Sequence, residues 1–250
     1  MSQQGPTARH QNTLGQPIGF PVPNWSGAKP PTRETMSGRL CRLEALSADT
    51  HAEALHAAYA ADRDGGNWTY LPYGPFESAA AYREWVKEMQ SRDDVIAFAI
   101  VDAKDGRPLG VATYLRIDPV NGVIEVGHLS YAPALQRTPL STEAMFLMMR
   151  RVFVDWGYRR YEWKCDSLNA PSVAAARRLG FRYEGTFFQN VVMKGRNRDT
   201  TWLSILDGEW PAIESALEGW LDVANFDANG RQQRSLRDLM PETAGTTRLR

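Results

Sequence analysis

A polar segment at residues 136–142 carries side chains suited to holding an anion. It reads Gln136-Arg137-Thr138-Pro139-Leu140-Ser141-Thr142 and precedes a stretch with helical periodicity. The first turn of a helix exposes unpaired N–H groups and a partial positive charge, which suits a phosphate or pyrophosphate. Arg137 would add a full charge, and the three hydroxyl side chains would add donors. An ordinary helix start, with Thr138 as N-cap and Pro139 at the first helical position, explains the same residues.

Two ionisable side chains just before this segment are candidates for a general base. Glu125 could accept a proton through a water molecule if burial raised its pKa, and an unperturbed imidazole such as that of His128 titrates near neutrality. On a regular strand these two side chains would face opposite sides of the sheet. The structural alternatives are a Glu125 carboxylate tied to Arg116 or another cation, and a His128 that packs in the core.

The elements that would position these groups form a strand–helix–strand–helix unit over residues 123–181. Val123–Tyr131 is a short apolar run rich in β-forming residues, which predicts a buried strand. Residues 160–166 predict a second strand, and residues 170–179 predict a second helix that ends at Gly180. A crossover of this kind places the two strands side by side and parallel. One face of the first helix, which would end at Gly157, carries Met145, Met148, Met149, Val152 and Trp156.

Charge and composition exclude several classes of protein. The 250 residues include 29 basic and 29 acidic side chains, which gives no global attraction to nucleic acid or to an anionic membrane. No apolar run reaches the roughly 18 residues of a membrane span, and no signal peptide is visible, so we expect a cytoplasmic protein. Cys41 and Cys165 fit a reduced compartment, with Cys165 as a packing residue. The four histidines have no metal-ligand spacing, so we expect no metal.

The chain is expected to divide into three parts. Residues 1–36 are rich in Pro, Gly, Gln, Ser and Thr and predict an arm that is disordered or wraps the surface. Phe20 and Trp25 suggest that this arm lies in extended form along the domain, or along a partner subunit of a homodimer. Residues 37–222 predict a single domain, and residues 223–250 predict a polar C-terminal extension.

Hydrophobic patterning predicts an α+β (mixed α/β) domain with a central mixed, mostly antiparallel sheet of about seven strands flanked by helices. Asp105-Gly106 and Asn121-Gly122 are strong hairpin turns, so the strands that they join should be antiparallel. Residues 194–198 predict a basic loop before the last strand. The strands are expected at residues 38–46, 96–102, 108–117, 123–131, 160–166, 182–190 and 199–206.

The order of elements and several short motifs resemble the GNAT superfamily of acyl-CoA-dependent N-acetyltransferases. The similarity extends from about Gly38 to Leu206 and is greatest to the RimJ/RimL-type branch. Within that branch the chain is similar to a largely uncharacterised bacterial and fungal subgroup. The motifs are the Gln136-Arg137 loop that enters a helix, Asn169-Ala-Pro-Ser172, Arg178-Leu-Gly-Phe181, Leu71-Pro-Tyr-Gly-Pro-Phe76 and Lys194-Gly-Arg-Asn-Arg-Asp-Thr200.

This resemblance implies a splayed sheet with acetyl-CoA as acyl-donor substrate between the two parallel strands. Backbone groups of Leu129, Ser130 and Tyr131 would contact the thioester and the pantetheine arm. Asn169 would bind that arm or a water, and Ser172 would protonate the departing sulfur, with Tyr131 as an alternative acid. Helix capping is the structural alternative for Asn169 and Ser172. The expected cofactor-binding residues are Leu129, Ser130, Tyr131, Arg137, Thr138, Leu140, Ser141, Thr142, Asn169 and Ser172.

One feature of the phosphate loop departs from the family. The family pattern Q/R-x-x-G-x-G/A has glycines where this chain has Pro139 and Ser141. Glycine permits close approach of the backbone to an anion, whereas proline provides neither that freedom nor an N–H donor. The affinity for CoA, rather than the fold, is the property that this departure would change.

The acceptor side is expected to include aromatic residues of the segment Asn67–Phe76, which is too rich in proline for regular structure. Trp68, Tyr70 and Tyr73 could contact the substrate or simply pack beneath the segment. The expected function is direct transfer of an acetyl group, in a ternary complex, to a protein N-terminus or a small-molecule amine. Alternatives are transfer of another acyl group such as succinyl, with residues 194–198 as its cationic feature, and a non-catalytic acyl-CoA-binding module.

Overall fold

A computed structural model describes residues 10–241, and its centre is one eight-stranded sheet. A two-stranded ribbon of β1 (His10–Gln11) and β2 (Pro17–Ile18) precedes it. The sheet strands are β3 (Met36–Ser37), β4 (Cys41–Ala45), β5 (Val95–Asp102), β6 (Pro108–Asp118), β7 (Val123–Tyr131), β8 (Arg160–Asp166), β9 (Arg182–Met193) and β10 (Arg196–Leu206). Their order in space is β3-β4-β5-β6-β7-β8-β10-β9, and β7 and β8 are the parallel neighbours.

Six α-helices accompany the described strands. They are α1 (Ala52–Tyr59), α2 (Ala79–Ser91), α3 (Pro139–Arg150), α4 (Ala170–Arg178), α5 (Trp210–Leu221) and α6 (Leu236–Leu239). Arg151–Asp155 continues α3 as a wider turn, and Gly157 follows with a φ of 72°, as the helix-ending glycine requires. No helix in residues 10–241 is long and apolar enough to cross a bilayer.

Alternation along the central strands creates a hydrophobic layer on each face of the sheet. On β5, Ile96, Phe98 and Ile100 join the layer that contains α3 and α5. Their neighbours Ala97, Ala99 and Val101 point the other way and pack with α1 and α2. A strand with both faces covered reads as a continuous apolar run, which is the pattern of residues 95–101. The layer with α3 and α5 also contains Ile124 and Val126 of β7 and Tyr161 and Trp163 of β8, and so holds these two strands at the middle of the sheet.

The mixed, mostly antiparallel architecture is confirmed, with two differences of detail. The sheet has eight strands rather than about seven, because the short strand β3 pairs with β4 at the edge. The predicted basic loop at residues 194–198 is wrong, because β9 and β10 pair as far as Met193 and Arg196. The turn is therefore reduced to Lys194-Gly195, both with positive φ. Arg198 consequently lies on a strand.

The described part of the N-terminal arm follows the surface of the domain. Trp25 donates its Nε1–H to the Val120 carbonyl at 2.8 Å, and the Arg159 guanidinium lies 5.3 Å from the centroid of its ring. The backbone N–H groups of Ala28 and Lys29 also bond to carbonyls of the domain, at 2.8 and 2.9 Å. Residues 1–9 and 242–250, at the ends of the predicted arm and extension, lie outside the described residues.

Candidate active site

A cleft opens where β7 and β8 separate. The two strands pair only over Val123–Val126 and Arg160–Trp163. A bulge in β7 follows, since Ser130 pairs with Val111 but Gly127 pairs with Thr113. The bulge takes His128 and Leu129 out of register with β6, so the side-chain alternation expected for a regular strand does not hold. The resulting cavity has a volume of about 1610 Å³ and reaches the first turns of α3 and α4.

One end of the cleft lies at the N-terminus of α3. Thr138 is the N-cap, its Oγ1 accepting from the Ser141 N–H at 3.2 Å, and Pro139 occupies the first helical position. At that position an N–H would have no partner within the helix, so proline removes one anion donor without disrupting the helix. Arg137 is exposed beside this turn with a φ of 59°. A cation next to a helix N-terminus fits a phosphate.

The second helix start, that of α4, lies farther along the cleft. The Asn169 side chain caps it by accepting from the Ser172 N–H at 3.1 Å. The Ser172 Oγ accepts from the Trp163 indole N–H at 2.9 Å. Because that contact uses an acceptor lone pair of the hydroxyl, the Ser172 proton can still be donated. Asn169 and Ser172 therefore both take part in capping α4 and also line the cleft.

His128 is the titratable group in the bulge. Its Nδ1 lies 3.1 Å from the Tyr73 hydroxyl, and the two rings stack with centroids 5.6 Å apart. Burial, followed by the positive charges of Arg92 and Arg116, lowers the pKa of His128 from 6.5 to about 4. The imidazole is therefore neutral at pH 7. Its φ of 48° is unusual for a residue other than glycine, and such conformations concentrate at functional sites.

Glu125 lies in a network of charges on the cleft floor, in which Glu125, Lys164 and Glu162 are buried and Arg116 is exposed. Its Oε1 is 2.6 Å from Arg116 Nη1, and its Oε2 is 2.8 Å from Lys164 Nζ. Lys164 also contacts Glu162 at 2.8 Å and lies 3.7 Å from the centroid of the Trp202 ring. With both carboxylate oxygens held by cations, Glu125 is arranged as a structural anchor rather than as a free base. The structure thus matches the alternative in which Arg116 binds this carboxylate.

The aromatic loop, residues 67–76, forms a roof over one side of the cleft. Trp68 is only 4% exposed, and its ring packs against Tyr59 and Phe76. Tyr73 packs against Trp85 and reaches His128, whereas Tyr70 lines the cleft itself. Among the three predicted substrate contacts, the structure therefore packs Trp68 in the core, places Tyr73 against His128 and places Tyr70, half-buried, on the cleft.

Two long side chains fasten the roof to the rest of the cleft. Lys194 Nζ donates to the carbonyls of Trp68, Gly74 and Tyr73 at 2.9, 3.0 and 3.3 Å. The Tyr70 hydroxyl donates to the Leu168 carbonyl at 3.1 Å, just before α4. The segments 71–76 and 194–200, recognised in the sequence as separate motifs, are thus in direct contact.

The remaining predicted donor-site residues do not all face the cleft. Leu129 and Tyr131 line it, but Ser130 is fully buried, with its Oγ 2.7 Å from the Tyr59 hydroxyl. Thr142 accepts from Arg178 Nη1 at 3.0 Å on the cleft wall. The Leu140 side chain instead faces a shallower cavity behind α3. Any contact of Ser130 or Leu140 with a donor would therefore involve the backbone.

Sequence reasoning missed several residues of the site. Lys164 and Trp202 line the cleft, and Trp163 contacts Ser172. A lysine and a tryptophan in otherwise apolar strands were a weak signal, since either is also common at a sheet surface. No group of His, Cys, Asp and Glu residues suited to holding a metal occurs in residues 10–241.

Comparison with known proteins agrees with this geometry. The Acetyltransferase (GNAT) domain family matches residues 41–182. The crystal structure of a GCN5-related N-acetyltransferase from Brucella melitensis is 43% identical, with a TM-score of 0.85, covering 87% of this chain and 99% of that one. An uncharacterized N-acetyltransferase, YokL, derived from the SPbeta prophage of Bacillus subtilis (strain 168), is 25% identical over 122 residues. That match covers 49% of this chain and 67% of YokL.

A more distant structure shares the fold. It is the Salmonella typhimurium acetyl transferase that modifies the N-terminal serine of 50S ribosomal subunit protein L7/L12, 21% identical with a TM-score of 0.60. The match covers 69% of this chain and 99% of that one. The family match spans more than half of the chain, and the Brucella structure aligns along most of it. This chain therefore belongs to the GNAT acetyltransferase family and is an acyltransferase whose acceptor is an amine.

Proposed function

We propose that the protein transfers an acetyl group from acetyl-CoA directly to a primary amine, with both substrates bound together. The observation that carries this proposal is the separation of β7 from β8 at the His128 bulge. It creates one continuous cleft between the first turn of α3 and the first turn of α4. Acetyl-CoA would lie along this cleft, with its pyrophosphate at the first turn of α3 and its thioester near the bulge.

The donor would be held by groups at both helix starts. Arg137 and the first turn of α3 would bind the pyrophosphate. Backbone groups of Leu129 and Tyr131, beyond the point where β7 leaves β8, would align the pantetheine arm, with Asn169 opposite. These residues fit the donor in spite of Pro139, because the cap at Thr138 and the free charge of Arg137 remain.

The acceptor would enter from the side of the aromatic loop. Its nitrogen attacks the thioester carbon, the carbon–sulfur bond breaks, and the leaving thiolate takes a proton from Ser172. Ser172 regains a proton, through water, from the nitrogen, which loses one as the amide forms. His128, neutral at pH 7, would orient the amine or that water by a hydrogen bond rather than hold the proton. Because the pKa of His128 is lowered to about 4, the amine must reach the site mainly as the neutral base.

The acceptor is either a protein N-terminus or a small-molecule amine. The Salmonella protein that shares the fold modifies an N-terminal serine, which supports the first class. The aromatic loop, which Lys194 and Tyr70 fasten to the rest of the cleft, would contact an acceptor of either class.

An amine panel with acetyl-CoA tests the proposal. Amino acids, polyamines, aminoglycosides and short peptides with free N-termini would be assayed for CoA release, and initial rates measured while both substrates vary. Intersecting double-reciprocal lines are expected for a ternary complex. Parallel lines, or an acetylated enzyme formed without an acceptor, would contradict direct transfer. CoA binding without turnover on any amine would indicate a non-catalytic acyl-CoA-binding module.

A further inference from the structure

Some cationic side chains of the cleft already have a partner in the protein, and others do not. Six occur among its lining residues in the described part of the chain: Arg116, Arg137, Lys164, Arg178, Lys194 and Arg198. Four of them have partners, which are Glu125 for Arg116, Glu125 and Glu162 for Lys164, Thr142 for Arg178 and three backbone carbonyls for Lys194. Arg137 and Arg198 are left for a ligand.

These two arginines have different surroundings. Arg137 is exposed beside the first turn of α3, where the donor phosphates are proposed to bind. Arg198 is only partly exposed, and its Nε is buried without a hydrogen-bond partner among residues 10–241. Arginine stays charged at any ordinary pH, and a buried charged donor without an acceptor is costly. A group that is bound only with substrate would satisfy it.

Arg198 lies on β10, two residues before Thr200, which pairs with Asp166 at the end of β8. It precedes the β10 bulge, where Arg198 pairs with Val191 but Thr200 pairs with Phe187. The carbonyl of the next residue, Asp199, accepts from the Ser167 N–H in the turn that leads to α4. The Arg198 backbone is therefore next to the turn that leads to α4, and Arg198 lines the cleft together with Asn169 and Ser172 at the start of that helix.

We propose that Arg198 binds a carboxylate at the acyl end of the cleft, so that one of the two substrates carries this anion besides its reacting group. The inference rests on the proposed function and specifies its substrate class. A guanidinium offers a planar pair of N–H donors that matches a carboxylate in two-point contact. Lys194 cannot take this role, because its ammonium is occupied by the aromatic loop.

Either substrate could supply the carboxylate. An amino acid or the C-terminal end of a very short peptide would carry it on the acceptor. The monothioester of a dicarboxylic acid, such as succinyl-CoA, would carry it on the donor. The chemistry at Arg198 is the same, so the two sources must be separated by experiment.

Equilibrium binding measured by calorimetry separates them without requiring turnover. The donor pair is succinyl-CoA and acetyl-CoA. The acceptor pair consists of the products N-acetyl-L-alanine and N-ethylacetamide, each titrated into protein saturated with CoA. In one of the two pairs, the ligand with the carboxylate should bind the native protein about ten- to a hundredfold more tightly than the ligand without it, as expected of a charge-assisted contact. The pair that shows this preference identifies the substrate that carries the carboxylate.

Variants then assign the preference to Arg198. Arg198→Met should abolish it, and Arg198→Lys should retain part of it, since the charge remains but the two-point geometry is lost. Arg196→Met is the matched control, because Arg196 is exposed on the same strand and does not line the cleft. This control should keep the full preference. If Arg198→Met is unfolded by circular dichroism, Arg198→Gln, which retains a polar stem, replaces it.

Two results would overturn the proposal. One is the absence of any preference for the carboxylated ligand in both pairs with the native protein. The other is a preference that survives in a folded Arg198→Met or Arg198→Gln protein. Neither result concerns acetyl transfer to amines, which fails separately if acetyl-CoA neither binds nor turns over. A weak acetyl-CoA site together with a strong succinyl-CoA preference supports Arg198 and replaces acetyl by succinyl.

Discussion

Arg137 is the exposed cation beside the first turn of α3, and its loss should weaken donor binding. Arg137→Ala should reduce the affinity for acetyl-CoA by about 1–2 kcal/mol, typical of one charge-assisted contact. Calorimetry on the folded variant measures this directly. Arg150→Ala, near the other end of the same helix, should leave donor affinity unchanged. Equal affinity in the native and Arg137→Ala proteins would remove Arg137 from the phosphate site.

Ser172 and Tyr131 are competing acids for the thiolate. Ser172 accepts from Trp163 and keeps its proton available, whereas the Tyr131 hydroxyl is buried without a partner in residues 10–241. Burial raises the pKa of Tyr131, but the aliphatic hydroxyl of Ser172 is a weaker acid still, so position rather than acidity favours Ser172. Ser172→Ala should therefore lower kcat about ten- to a hundredfold with little change in acetyl-CoA binding. Tyr131→Phe, in the same assay, should turn over nearly normally; the reverse pattern would assign the acid to the central strand.

The lowered pKa of His128 predicts how activity depends on pH. With a pKa of about 4, His128 is already neutral throughout the range from pH 6 to pH 8. The fall of kcat/KM on the acid side should therefore follow the pKa of the acceptor amine. For two acceptors of different basicity, the acid-side falls of kcat/KM should be displaced along the pH axis by the difference between the pKa values of the two amines. A common limb near pH 6.5 for both would show that His128 titrates as an ordinary imidazole.

The lowered pKa of His128 also makes the free energy of unfolding depend on pH. The folded pKa is below the unfolded value of 6.5, so the unfolded chain binds more protons between pH 6.5 and about 4. The contribution of neutral His128 is complete above pH 6.5 and is lost as the pH falls through 4. His128→Gln should flatten this part of the curve of unfolding free energy against pH.

At the scale of elements, the Lys194 turn determines the position of the aromatic loop. Lys194→Met would leave three backbone carbonyls without their shared donor, so residues 67–76 should become more mobile. We expect faster amide exchange in that loop and a several-fold higher KM for the amine, with KM for acetyl-CoA unchanged. Lys104→Met, in the exposed β5–β6 turn, is the control. Unaltered exchange in Lys194→Met would mean that aromatic packing alone holds the loop.

At the scale of the whole molecule, the arm is attached to the domain at the β6–β7 turn. Trp25 bonds to Val120, packs on Gly122 and lies beside Arg159. Trp25→Ala should lower the free energy of unfolding by about 2 kcal/mol, since it removes a partly buried aromatic ring and a hydrogen bond. Phe20→Ala, at an exposed site of the same arm, should change it by less than about 0.5 kcal/mol. If the urea midpoints of both variants equal that of the native protein, the arm adds nothing to the stability of the domain.

Much of this organisation could be predicted from local sequence patterns. The bounds of β7 and β8 agree with the predicted Val123–Tyr131 and 160–166 segments, and α4 lies within the predicted 170–179 helix. Apolar periodicity and helix-end residues report directly on each of these elements. The Asn121-Gly122 turn likewise fixed an antiparallel pair, because its glycine adopts the positive φ that the turn requires. The family motifs then predicted where the site lies, between these elements.

The tertiary structure decided which of those side chains are available for chemistry. Arg116 and Lys164 hold Glu125 from different strands, and Lys194 is occupied by carbonyls of a loop more than a hundred residues earlier in the chain. Such contacts join residues that are remote in sequence, so local periodicity contains no record of them. The bulge at His128 is similar, since it is a mismatch in register between two strands. Sequence alone therefore determined the elements and their order, whereas packing between distant elements left Arg137 and Arg198 as the unpaired cations of the described cleft.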